Sequence, residues 1–260
     1  MLHAFHPLYA LTALVVGLTV GFTGVGGGAL MTPILVLAFG VDPSTAVGTD
    51  LLLAGLTRIG GAAVHGRNGA VDWRLARRLA LGSAPAAALT LLALAHFGGG
   101  AAAKSHLVTS TLGAALIATA LTLLFRRRLI GGLGRALERV SERTLAVLTI
   151  GLGVVLGVLV TGSSVGAGAI GVTAMLTLYP RMPAVRLVGT DIAHGAPLAL
   201  IAGLGHWRLG SVDLALLATL LAGSIPGAMI GSHFAARAPD RVLRPVMAGA
   251  LALVGGRMVF

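Results

Sequence analysis

The chain contains no cysteine. That absence removes disulfides, thiolate metal sites and cysteine nucleophiles together. Charge is nearly as scarce: 10% of the 260 residues are Asp, Glu, Lys or Arg, where a soluble domain carries roughly 25%. So little polar surface excludes a water-soluble globule. The first ten residues, MLHAFHPLYA, lack the basic n-region of a signal peptide, so the N-terminus is expected to belong to the mature protein. His3, His6, His96, His106 and His233 show no metal-ligand spacing, and neither a metal nor an organic cofactor is expected.

What the chain does contain is apolar sequence. It is 56% hydrophobic, with a mean hydropathy of +0.95, and apolar runs of about 20 residues read as membrane spans. The fold class expected is an all-α integral membrane protein, with the lipid bilayer as its first partner. The net charge of +11 would point to nucleic acid in a soluble protein. Here the arginines fall between apolar segments, where they set topology, and no nucleic-acid partner is expected.

Apolar segments run over 8–22, 26–40, 44–65, 74–96 and 104–125, then 144–162, 166–180, 183–205, 211–235 and 240–259. The first two of each half are short for a span and read as half-helices or a steep hairpin. The halves also repeat. VGTD (47–50) recurs as VGTD (188–191), and GSAP (82–85) as GSIP (223–226). His65, Arg67, Gly69 and Asp72 recur as His206, Arg208, Gly210 and Asp213, all at an offset of 141. VGGGAL (25–30) and VGAGAI (165–170) match one residue closer. The organisation expected is a first transmembrane repeat over 1–125, a basic cytoplasmic loop over 126–143 and a second repeat over 144–260.

Two five-segment units joined by one loop have opposite orientations. With the 126–143 loop inside, 16 of the 19 basic residues lie at or near inner connections, which is the bias that sets orientation. Both termini then fall outside. Inverted repeats with short, interrupted segments at matching places are the signature of a secondary transporter.

The stretch GFTGVGGGALMTP (21–33) contains a near match to a dinucleotide fingerprint, but that fold needs a preceding strand in a soluble βαβ unit. The preceding segment, LYALTALVVGLTV, is helical and lipid-compatible. Two readings remain for the glycines. They let neighbouring helices approach closely, or Gly24–Gly28 and Gly162–Gly168 break their helices near mid-membrane, so that freed amides at a half-helix N-terminus bind an anion. The candidate substrate-binding residues are Thr23, Gly24, Gly26, Gly27, Gly28, Thr32 and Thr49 in the first half. In the second half they are Ser163, Ser164, Gly166, Gly168 and Thr190.

Asp50 and Asp191 each follow Gly-Thr inside an apolar segment, and a carboxylate at membrane depth marks function by default. The structural alternative is a helix cap, or a position near the membrane surface. His194 shares a helical face with Asp191. These three are the candidates for carrying a coupling proton or sodium ion. Arg58, two turns beyond Asp50, reads either as a partner for substrate charge or as a side chain snorkelling to the inner interface, with snorkelling preferred. Asp72 and Asp213 read as caps of the following helices, and Pro85 and Pro226 as kinks.

The ordered set TGVGGGALMTPILV (23–36), AVGTD (46–50), GAVDW (69–73), VGTDIAH (188–194), GSVD (210–213) and GSIPGAMIGS (223–232) resembles the TauE/SafE sulfite-exporter-like membrane proteins. The resemblance implies a bacterial inner-membrane transporter of small sulfur-containing anions, such as sulfite or organosulfonates, directed outward. Two alternatives are a passive anion channel on the same scaffold and an intramembrane hydrolase pairing Ser163 or Ser164 with His194. The sequence sets no oligomeric state.

Overall fold

A computed structural model describes residues 7–23, 28–97, 101–137, 140–234, 249, 251–252 and 255–256. Among these the chain is helical, without strands. The elements are α1 (Pro7–Thr23), α2 (Gly28–Leu37), α3 (Pro43–Arg67), α4 (Trp73–Phe97), α5 (Ala101–Arg128), α6 (Gly134–Leu137), α7 (Glu142–Ser163), α8 (Ala169–Leu178), α9 (Ala184–Arg208) and α10 (Leu214–Phe234). Five helices among the described residues, α3, α4, α5, α7 and α9, include runs long and apolar enough to cross a membrane. This is a multi-pass membrane architecture.

The repeat reappears as element boundaries. α2 and α8, then α3 and α9, begin and end 141 residues apart, and α4 and α10 begin 141 apart. α2 and α8 are 10 residues each, or about 15 Å at 1.5 Å per residue, half of a bilayer core. The expected shortness holds for these two. It does not hold for α7, whose 22 residues give a full crossing. The 126–143 stretch is largely helical: α5 continues to Arg128, a π-helical turn covers Leu129–Leu133, and α6 follows. Ser141 then caps α7, its Oγ accepting from the Thr144 amide at 3.2 Å. The segment expected over 240–259 lies almost wholly outside the described residues.

The packing exchanges elements between repeats. α1 lies along α10, α4 along α7, and α3 along α9. A Cβ on Gly55 would meet Leu200, one on Gly203 would meet Leu52, and one on Gly61 would meet Ile192. Rising numbers on α3 therefore face falling numbers on α9, and the two helices run antiparallel. Small residues make such contact possible, since lipid supplies no hydrophobic drive and close van der Waals packing must hold helices together. Gly153 sits against the Leu79 carbonyl between α7 and α4, and Gly223 against the Ala10 carbonyl between α10 and α1.

The helix ends are as regular as the helices. α3 closes with Gly69 at φ 65° and α9 with Gly210 at φ 72°. In the first turn Gly69 N donates to Gly66 O and Ala70 N to His65 O; in the second Gly210 N donates to Trp207 O and Ser211 N to His206 O. This is the Schellman pattern, and the left-handed position favours glycine. Asp72 and Asp213 then cap α4 and α10, accepting from Leu75 N at 3.0 Å and Leu216 N at 2.9 Å. The expected capping role holds for both.

Candidate functional site at the helix break

The VGTD motif is where one repeat meets the other. Thr190 Oγ1 accepts from the Asp72 amide at 2.9 Å, and Thr49 Oγ1 accepts from the Asp213 amide at 3.1 Å. A Cβ on Gly189 would strike the Ala70 carbonyl, and one on Gly48 the Ser211 carbonyl. Each pair of contacts maps onto the other by the 141-residue offset. The glycine admits the turn of the opposite repeat, the threonine binds its cap, and the aspartate is left to face inward. Thr49 and Thr190, fully buried, thus hold the repeats together at the two ends of the α3–α9 pair.

Asp50 and Asp191 are 0% and 2% exposed. Asp50 Oδ2 accepts from Thr32 Oγ1 on α2 at 2.6 Å. Its Oδ1 has no hydrogen-bond partner among the described residues, nor has Ser164 Oγ. Asp191 lies over the first turn of α8, against Gly171 and the backbone of Gly168, with its own Oδ1 unpartnered. A helix N-terminus attracts negative charge. At α8 the group already in place at that terminus is the protein's own Asp191 carboxyl.

The break before α8 spans Ser164–Gly168. Ser164 has φ 60°, Gly166 φ 129° and Gly168 φ 99°, so glycine's freedom is needed at two of its five positions. Gly162 and Ser163 belong to the last turn of α7. The Ser163 hydroxyl is spent on backbone, donating to Leu159 O at 2.6 Å and accepting from Val165 N at 3.2 Å. Of the first break, Gly24, Gly26 and Gly27 lie outside the described residues. Thr23 closes α1 and Gly28 opens α2.

Arg58 does not follow the preferred snorkelling reading. Its guanidinium turns to the break, Nη2 donating to Ala167 O at 3.3 Å, and lies against Gly195 of α9. Gly195 is one turn from Asp191 along α9, and Arg58 is two turns from Asp50 along α3. The guanidinium thus stands between the levels of the two acids without an ion pair to either. Asp50, Arg58 and Asp191, with Thr57 and Ser224, line a cavity of about 210 Å³ whose other walls include Val16, Val20, Met31 and Leu53. Helix spacing gave the level of Arg58 but not its direction. The signal available was its absence from the other repeat, where Ala199 occupies the matching position.

His194 points elsewhere. Its Nε2 shares a hydrogen bond of 2.8 Å with Ser83 Oγ, and both line a second groove between α4 and α9, also of about 210 Å³. The serine–histidine pair that forms is therefore Ser83–His194, not Ser163 or Ser164 with His194.

Membrane-crossing helices, a backbone break tolerated only in protein or beside a wet cavity, and buried charges around that break define a transporter-like membrane protein. The sulfite exporter TauE/SafE family model matches residues 9–258, and the chain belongs to that family. It is 38% identical to the probable membrane transporter protein YjnA of Bacillus subtilis, over 96% of this chain and 98% of that one. It is 30% identical to YdhB of the same organism, over 95% and 99%. A probable membrane transporter protein of Xylella fastidiosa is 27% identical, over 85% and 82%. No solved structure matches. The chain is a membrane transporter of this family.

Proposed function

We propose that the protein is a secondary exporter of small sulfur-containing anions, sulfite or organosulfonates, working by alternating access in the bacterial inner membrane. The single observation carrying this is the cavity in which Arg58 stands with Asp50 and Asp191 beside the α8 break. A permanent cation in an apolar-walled chamber is a place for an anion, and intramembrane carboxylates are the usual carriers of a coupling cation or proton. The family's description as sulfite exporters supports the cargo class.

The two repeats lie inverted across the bilayer, with both termini periplasmic. The antiparallel run of α3 and α9 and the reciprocal threonine–cap bonds support this arrangement. So does the gathering of Arg74, Arg78 and Glu142 at one end, where Arg74 lies 2.9 Å and Arg78 3.2 Å from the glutamate. That end carries the basic residues and faces the cytoplasm.

The test is flux in proteoliposomes holding the purified full chain, using radiolabelled sulfite and methanesulfonate with imposed pH and sodium gradients. Saturable exchange and gradient-driven accumulation are expected. Flux that neither saturates nor accumulates identifies a passive channel, and no flux of either probe removes the cargo class.

A further inference from the structure

We infer that the cavity loads one monovalent anion together with one proton, so that each transport step carries no net charge, with Arg58 as the anion's counter-ion. The inference rests on the transport reading above and assigns the charge type of its cargo and its coupling. Anion and proton move the same way, so net export runs on the cargo's own outward gradient against the inward pull of the proton.

The charges confined in the cavity can be counted. Among the described residues lining the cavity, the ionisable groups are Asp50 and Arg58 of α3 and Asp191 of α9; α1, α2 and α10 contribute none. His194, one turn from Asp191, faces the other groove and is held by Ser83. With both acids ionised the site carries one excess negative charge. An entering anion would make it two, and at about 4 Å each like-charge contact costs about 4 kcal/mol at an effective dielectric constant of 20. Buried groups avoid such a cost by neutralising.

Two occupancies leave the site uncharged. Empty, Arg58 offsets the charge of one carboxylate across the cavity while the other carboxyl holds a proton. Loaded, Arg58 pairs with the anion and both carboxyls hold protons. The difference is one anion and one proton, the proton adding to a carboxylate oxygen with no other bond changed. Geometry supplies the place for it: Asp50 and Asp191 are at least 98% buried, and each presents an Oδ1 without a partner among the described residues. One free oxygen on each acid serves a proton, whereas a metal cation needs a shell of oxygens. A divalent anion would leave a charge uncompensated in either state. The apolar walls at Val16, Val20, Met31 and Leu53 suit an anion with a small apolar group.

The experiment uses the reconstituted full chain with radiolabelled methanesulfonate, sulfite and sulfate, a pH-sensitive dye inside the vesicles, and potassium–valinomycin to set voltage. Methanesulfonate exchange is expected, with accumulation approaching about tenfold per imposed pH unit, since one unit corresponds to 1.36 kcal/mol per proton. One proton should move per anion, voltage of either sign should leave the flux unchanged, and sulfate should not exchange. Asp191→Asn or Asp50→Asn alone, each standing in for the acid that stays protonated, should leave the other acid to carry the proton and keep pH-driven accumulation. The double variant should keep exchange and lose that accumulation. Arg58→Gln should lose exchange, with Arg58→Lys restoring part of it.

Net flux driven by voltage or sodium, net flux with no proton movement, or sulfate exchanged as fast as methanesulfonate would each overturn the inference while leaving anion transport standing. Absence of exchange for all three probes removes the transport reading, and the coupling with it.

Discussion

The reciprocal bonds of the VGTD threonines make a prediction that separates a structural role from a cargo role. Thr190→Val keeps shape and volume but removes the acceptor of the Asp72 amide, now bonded at 2.9 Å, and the donor to Arg186 O at 2.7 Å. A buried donor left unsatisfied costs about 1–3 kcal/mol. Thr49→Val does the same to the Asp213 amide, at 3.1 Å. The two losses should therefore be similar, each lowering the unfolding midpoint by about 2–4 °C per kcal/mol for a chain of this size. They lie at opposite ends of the α3–α9 pair, so the double variant should lose close to the sum. Thermal unfolding in detergent micelles reads the stability, and methanesulfonate exchange in vesicles reads the transport. Unchanged midpoints with abolished exchange would refute the reasoning and place these hydroxyls on the cargo.

Three further outcomes follow from the packing and the break. Gly153→Ala should destabilise by about 1–3 kcal/mol, as overpacking does, because its methyl would strike the Leu79 carbonyl. Gly151→Ala, two residues away and facing open space, should be neutral or gain about 0.5–1 kcal/mol; equal losses in micelle unfolding would refute the α4–α7 packing. Ser164→Gly should raise the unfolding midpoint in micelles, gaining about 1 kcal/mol by relieving the left-handed backbone at φ 60°. Thr32→Val should strip Asp50 Oδ2 of its 2.6 Å donor and weaken both folding and exchange, with Thr32→Ser restoring them.

Helices were legible because apolar runs and their breakers are local: the segment read as 44–65 is Pro43–Arg67, and 74–96 is Trp73–Phe97. The capping aspartates were legible for the same reason. The docking of one repeat's turn on the other's VGTD motif was not, although both partners recur at one offset, because spacing along a chain does not say which copies touch. Arg58 is the sharpest case. Nothing in its own segment distinguishes a side chain rising to the interface from one turning inward. The deciding element is Gly195, 137 positions later, whose missing side chain leaves the slot that the guanidinium fills.

The two grooves show how a duplicated scaffold comes to have unequal halves. Ser83 and Ser224 occupy matching places in them, as do His194 and Leu53, and Leu198 and Thr57. The 141-residue repeat thus builds the same recess twice, and the packing of α1 on α10 mirrors that of α7 on α4. The charges do not obey the repeat. Arg58 stands where the other copy has Ala199, and Asp50 and Asp191, although repeat-related, both open on the recess that holds Arg58. The opposite recess has a histidine tied to serine at 2.8 Å and Arg77 among its described lining residues, but no acid. Residues shared by the repeats, the glycines and threonines of VGTD above all, fix how the halves meet. Residues found in one repeat alone, Arg58 above all, make the two recesses differ in charge. The pseudo-symmetry therefore accounts for the frame, and its breaking at Arg58 accounts for there being one chamber among the described residues, not two, in which a cation stands with two buried acids.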